Sequence, residues 1–94
     1  SKDYAKALRF YRVAAEAGNA AAQNNLGLMY WNGRGGMTDT TEASNWLKKA
    51  AANGNEKGRE NLTALQQSIE EQKRRMAQRA AEQERAQAAK RRPG

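Results

Sequence analysis

Side chains that commonly carry chemistry are scarce in this chain. Neither histidine nor cysteine occurs among its 94 residues, which removes the commonest general base, thiolate nucleophiles, disulfides and the usual zinc and copper ligands. The carboxylates Asp3, Glu16, Asp39 and Glu42 cannot be paired by spacing with a nucleophile and a base. Asp3 and Asp39 instead stand before helix-forming runs, where a carboxylate accepts backbone N–H bonds as an N-cap. Glu42, three residues beyond Asp39, completes the pattern of a capping box. The expectation is a protein that is not an enzyme, with no metal and no cofactor. A chain without cysteine suits an oxidising and a reducing compartment equally.

Two basic clusters, Lys73, Arg74 and Arg75, then Lys90, Arg91 and Arg92, offer a different chemistry. Such groups can neutralise the phosphates of nucleic acid or of an anionic membrane. The net charge is +7, but residues 66–94 carry four acidic residues among eight basic ones and no aromatic ring on which a base would stack. A solvated, solubilising surface is the favoured reading, and nucleic acid or membrane the minor one.

The elements that position these groups are helical. Apolar residues make up 38% of the chain and its one proline is Pro93, so no proline in the interior interrupts helix formation. No apolar run reaches the roughly 18 residues that span a bilayer, and the amino end lacks the basic-then-apolar pattern of a signal peptide.

Sliding the sequence by 36 residues superposes Asp3 on Asp39, Ala7 on Ala43, Phe10 on Trp46, Ala14 and Ala15 on Ala50 and Ala51, and Gly18 and Asn19 on Gly54 and Asn55. Asn25 and Leu26 then fall on Asn61 and Leu62. The pattern predicts a first helix over 4–17, with Ala7, Phe10, Tyr11, Ala14 and Ala15 on its buried stripe. Gly18 ends it in a left-handed turn, and Asn19 caps the next. The second helix spans 20–31, with Ala22, Leu26, Met29 and Tyr30 on one side and Asn24, Leu28 and Trp31 on the other. A glycine-rich loop containing Gly33, Gly35 and Gly36 follows, and a third helix over 40–53 repeats the first.

Leu26, Gly27, Leu28, Met29, Tyr30, Gly33, Gly35, Asp39, Ala43, Trp46, Lys49, Ala50, Ala51 and Gly54 together resemble one complete Sel1-like repeat. Residues 1–18 resemble the second helix of a preceding unit. The resemblance implies an all-α fold of the tetratricopeptide-like solenoid type, built of antiparallel helix pairs, to which the composition of the tail adds a long C-terminal helix. Residues 1–65 would form the repeat region and residues 66–94 a charged tail, partly solvated or disordered at its end. Gly27 is expected to lie close to Ala50 and Ala51, with Trp46 and Tyr30 filling the space beside them. Gly36 and Ser44 depart from the family, which usually carries apolar residues there. The opening half-repeat predicts further helices before Ser1, as in the C-terminal part of a repeat array.

After Asn55 the match decays, because Thr63, Ala64, Leu65 and Gln66 replace Gly27 to Tyr30, as expected of a polar terminal cap. The tail that follows contains strong helix formers, with Glu70–Arg74 and Glu71–Arg75 at i, i+4. A helix from Glu56 to Lys90 would be roughly 50 Å long. Leu62, Ile69, Met76, Gln83 and Lys90 recur every seven residues, but companion positions such as Gln72 and Arg79 are polar, so any coiled-coil seam is weak.

The family resemblance implies a scaffold or adaptor that binds a protein or peptide on its helical surface, with a bacterial periplasm or envelope favoured and the cytoplasm as the alternative. Candidate contact residues are Asn24, Asn25, Trp31 and Arg34. A helical tether, self-associating through the tail, is the alternative.

Overall fold

The computed structural model describes residues 2–33 and 38–91. Four helices follow in chain order: α1 (Lys2–Glu16), α2 (Ala20–Asn32), α3 (Thr40–Ala52) and α4 (Glu56–Arg91). The predicted loop residues Arg34, Gly35 and Gly36, and Arg92 of the tail, lie outside the described residues.

Turn chemistry repeats with the sequence. At the end of α1 the N–H of Gly18 donates to Ala15 O at 3.0 Å and that of Asn19 to Ala14 O at 3.1 Å. At the end of α3 the N–H of Gly54 donates to Ala51 O at 3.0 Å and that of Asn55 to Ala50 O at 2.9 Å. The same hydrogen bonds thus recur 36 residues apart, each built on a glycine with positive φ, 97° at Gly18 and 86° at Gly54. Asn19 accepts the N–H of Ala22 at 2.8 Å to start α2, and Asn55 accepts that of Gly58 at 2.6 Å to start α4.

One expected cap differs, and one expected capping box is incomplete. Helix α1 begins at Lys2, so Asp3 sits inside the first turn, where its charge favours the positive end of the helix dipole. Asp39 does cap α3, accepting the Glu42 N–H at 3.0 Å. The capping box is only half made, because the Asp39 N–H is taken by Tyr30 O at 2.9 Å and the Glu42 carboxylate accepts Trp46 Nε1 at 3.1 Å. Those bonds are tertiary or mid-helix, and they outcompete the local return bond.

Helix α2 is the centre of the molecule and packs against α1, α3 and α4. One core cluster joins Ala15, Ala22, Leu26 and Trp46, with Leu8, Tyr11, Ala14 and Tyr30 against it. The other joins Ala43, Leu47 and Leu65, with Tyr30, Trp31, Leu62 and Ile69 against it. Two glycines set the helix approaches. A Cβ on Gly27 would stand 2.8 Å from Leu47 Cγ and 3.2 Å from Ala43 O, and one on Gly58 would stand 2.7 Å from Ala50 Cβ. This corrects the expected pairing, since Gly27 meets the first two turns of α3 while Ala50 is the seat of Gly58.

Helix α2 stops where α4 continues. Gly33 takes φ 73°, and its N–H bonds to Met29 O. The position 36 residues on is Ile69, which packs against the second core cluster inside an unbroken helix. From Glu70 onward almost every described residue is exposed, and the molecule measures 67 Å along its longest axis.

Candidate protein-interaction site

Helices α1 and α2 leave one side of their contact open. Ala7 and Tyr11 from α1, with Asn25, Leu28, Met29 and Asn32 from α2, line a shallow groove there. Spacings of three and four residues put these side chains on facing stripes. Phe10 is not among the lining residues and meets the groove only through Tyr11, its ring edge-on to that of Tyr11 with centroids 6.1 Å apart. It is 73% exposed, whereas Trp46, its counterpart in the second copy, is 8% exposed. The expected place of Phe10 on a buried stripe is therefore corrected: none of the described helices lies above its face of α1, and Leu8 packs against the core instead.

The sequence-derived contact residues separate on this framework. Asn24 is buried, and its Oδ1 accepts the Asn61 side-chain amide at 2.9 Å, tying α2 to α4. Asn25 is half-buried and lines the groove. Trp31 is half-buried and packs against Ala43, Leu47 and Leu65 on the opposite flank of α2. Asn25 alone of the three reaches the open face.

Among the tail residues, Lys73 lies 3.9 Å from Glu70 and Arg75 lies 2.8 Å from Glu71, both exposed pairs on one helix. Such pairs contribute at most about 1 kcal/mol each. Lys90 and Arg91 occupy the last turn of α4, where cations offset the helix dipole. Arg74 is exposed on the same helix.

Two residues with structural roles, Gln23 and Arg12, were not singled out by the pattern, and a third, Lys49, was named in it without a role. Gln23 is buried in the joint, donating through Nε2 to Ala15 O at 3.1 Å and accepting Asn53 Nδ2 at 2.9 Å, so it ties α1 to the end of α3. The Arg12 guanidinium lies 5.8 Å from the Tyr30 ring centroid and donates to the Tyr30 hydroxyl. Lys49 Nζ sits 4.5 Å from the centroid of the Trp46 ring. Of Gln23 and Arg12, only Gln23 carried a sequence signal, as the lone long polar side chain directly after Ala20, Ala21 and Ala22.

Among the described residues no cluster of three or more acidic side chains is placed to hold a metal ion, and no described helix is long and apolar enough to cross a membrane.

Helical hairpins stacked at a fixed period, with glycines and alanines at their crossings, define an α-solenoid repeat protein. The family pattern described as Sel1 repeat matches residues 1–19 and 20–55, and the chain belongs to that family. The break between the two matches falls where α2 begins, and the second match ends just before α4. No curated protein and no solved structure matches the chain. Sel1 repeat proteins are generally associated with protein–protein interaction and generally lack catalysis.

Proposed function

We propose that this chain is a non-enzymatic interaction module that holds a protein partner on the open α1–α2 face. The observation that carries the reading is Phe10, a large ring left 73% exposed on α1 in edge-on contact with Tyr11, which lines the groove. Large exposed rings beside grooves are disfavoured on free surfaces and favoured at the centres of interfaces. Asn25 supplies the polar group that fixes orientation. Trp31 and Asn24 support this face from behind, by holding α2 on α3 and α4.

The test is affinity capture on the immobilised chain, repeated with Phe10→Ser and Asn25→Ala. Partner recovery is expected to fall at least tenfold with Phe10→Ser. Undiminished recovery with both variants would move the interface elsewhere.

A second reading draws on α4, whose 36 residues amount to about 54 Å of helix. It makes the tail a tether or a self-association element. Sedimentation of the chain with and without residues 77–94 separates the two readings, because an unchanged monomer rules out self-association through the tail.

A further inference from the structure

We propose that the Asn32–Gly33 peptide is a site of spontaneous deamidation, converting in the folded protein to aspartate and isoaspartate, while the other Asn–Gly peptide of the chain, Asn53–Gly54, is protected by Gln23. This modification does not rest on the interaction reading.

The chemistry requires only water. The backbone nitrogen of the residue after an asparagine gives its proton to solvent and attacks the side-chain Cγ. The bond from Cγ to Nδ2 breaks, ammonia leaves, and a five-membered succinimide remains. Water then opens the ring: cleavage at Cγ restores the ordinary chain with an aspartate, and cleavage at the main-chain carbonyl carbon routes the chain through Cγ as isoaspartate. The attacking nitrogen is least hindered when its own residue has no Cβ, and only Asn32 and Asn53 are followed by glycine. The fold demands glycine at both places. The φ angle is 73° at Gly33 and 86° at Gly54, and a Cβ on Gly33 would stand 2.5 Å from Thr38 Oγ1.

The two sites share most of their surroundings. Both asparagines are exposed at the end of a helix. Each following glycine N–H is held in a turn bond, to Met29 O for Gly33 and to Ala51 O at 3.0 Å for Gly54. A hydrogen-bonded amide is a poor nucleophile, so ring closure waits on opening of the helix end, where opening costs least. The side chains are what differ. Asn53 Nδ2 donates to Gln23 Oε1 at 2.9 Å, and Gln23 is 3% exposed with its own Nε2 bonded to Ala15 O. Turning the Asn53 amide onto the Gly54 nitrogen therefore strips a buried acceptor of its donor. The N–H groups on either side of Gly54 are also held, Asn53 to Lys49 O at 3.0 Å and Asn55 to Ala50 O at 2.9 Å. Among the described residues the Asn32 side chain has no such tie.

Conversion at Asn32 sets a carboxylate in the last turn of α2, at the negative end of the helix dipole. Isoaspartate also lengthens the main chain by one carbon between Met29 O and the Gly33 N–H, which breaks the bond that ends the helix. The central helix thus carries a slow, irreversible change of charge and length at one end.

The test incubates the full chain in mildly alkaline buffer, folded and in parallel in guanidinium chloride. Each asparagine is followed by peptide mass spectrometry as a gain of about one mass unit, with isoaspartate identified by electron-transfer fragmentation. In the folded chain Asn32 is expected to convert at least fivefold faster than Asn53, and in denaturant the two rates should agree within about twofold. A Gln23→Leu chain, verified as folded by its thermal melt, should bring Asn53 within about twofold of Asn32. If that variant does not fold, the comparison of folded and denatured chain decides without it. Equal rates in the folded chain, faster conversion at Asn53, or the same ratio in denaturant as in buffer would each overturn the proposal. So would an Asn32 that stays unconverted in the folded chain for about a hundred half-lives of the denatured one. An unchanged Asn53 rate in folded Gln23→Leu would overturn the protective role given to Gln23.

Discussion

The side-chain amide of Asn61 donates to Asn24 Oδ1 at 2.9 Å, a single polar bond between the central helix and the long one. Asn24 is buried, so the acceptor has no ready replacement by water. Deleting one partner of such a bond leaves the other to bear its own desolvation, at about 1–3 kcal/mol. Asn24→Ala is expected to lower unfolding free energy by that amount in urea denaturation. The double variant with Asn61→Ala should be less destabilised than the sum of the singles, by about 0.5 kcal/mol or more. Strict additivity would mean that the bond contributes nothing to holding α4 on α2.

Gly27 yields a prediction whose sign is set by two opposing effects. Alanine in a helix interior ordinarily gains up to about 1 kcal/mol over glycine. At Gly27 the added methyl would meet Leu47 Cγ at 2.8 Å and the backbone oxygen of Ala43 at 3.2 Å. Leu47 is fully buried and has nowhere to move. Overpacking of this kind costs typically about 1–3 kcal/mol, so Gly27→Ala is expected to destabilise. Leu47→Ala should cost less in the Gly27→Ala background than in the unaltered chain, since it clears the clash. Equal cost in both backgrounds, measured by chemical denaturation, would place the strain elsewhere.

The helices and their ends were legible because glycine and asparagine recur at fixed places, and each does a job only local geometry requires. Gly18 and Gly54 adopt positive φ, and Asn19 and Asn55 take the N–H bonds predicted from their types. The pairing of small residues across helices was less legible, because Gly27, Ala50 and Ala51 are all compatible with close approach and only rotation about the axes decides which meet. Gln23 and Asn24 illustrate the same limit at the site. Adjacent polar residues on a helix read as surface, yet both are buried here because their partners come from α1, α3 and α4. Phe10 is exposed because none of the described helices covers its face of α1, and periodicity within α1 carries no trace of that.

Helix α4 past Met76 should be energetically separate from the fold. Its last buried residue is Leu65, Ile69 is half-buried, and Met76 itself is 71% exposed. Removing residues 77–94 is expected to change unfolding free energy by less than about 0.5 kcal/mol, as for surface changes. The far-UV circular dichroism should fall by the share of helix removed. Leu65→Ala, by contrast, should cost about 2–5 kcal/mol, because it empties the centre of the second cluster. A large loss of stability on truncation would show that the tail packs onto the repeats in solution.

Phe10 and Trp46 occupy the same place in successive copies and should respond oppositely to deletion. Trp46 is packed among Ala15, Ala22 and Leu26, its Nε1 bonded to Glu42 at 3.1 Å. Trp46→Ala is therefore expected to cost about 3–5 kcal/mol, as for a large core ring. Phe10 touches the Tyr11 ring and otherwise faces solvent, so Phe10→Ala should cost less than about 1 kcal/mol. If the ring's purpose were stability, the two costs would be similar. If its purpose is contact with a partner, Phe10→Ala should leave the urea midpoint nearly in place and still reduce partner capture, while Trp46→Ala should lower both. Measuring denaturation and capture on the same two variants separates these cases, since no loss of local structure at α1 alone would weaken capture without moving the midpoint.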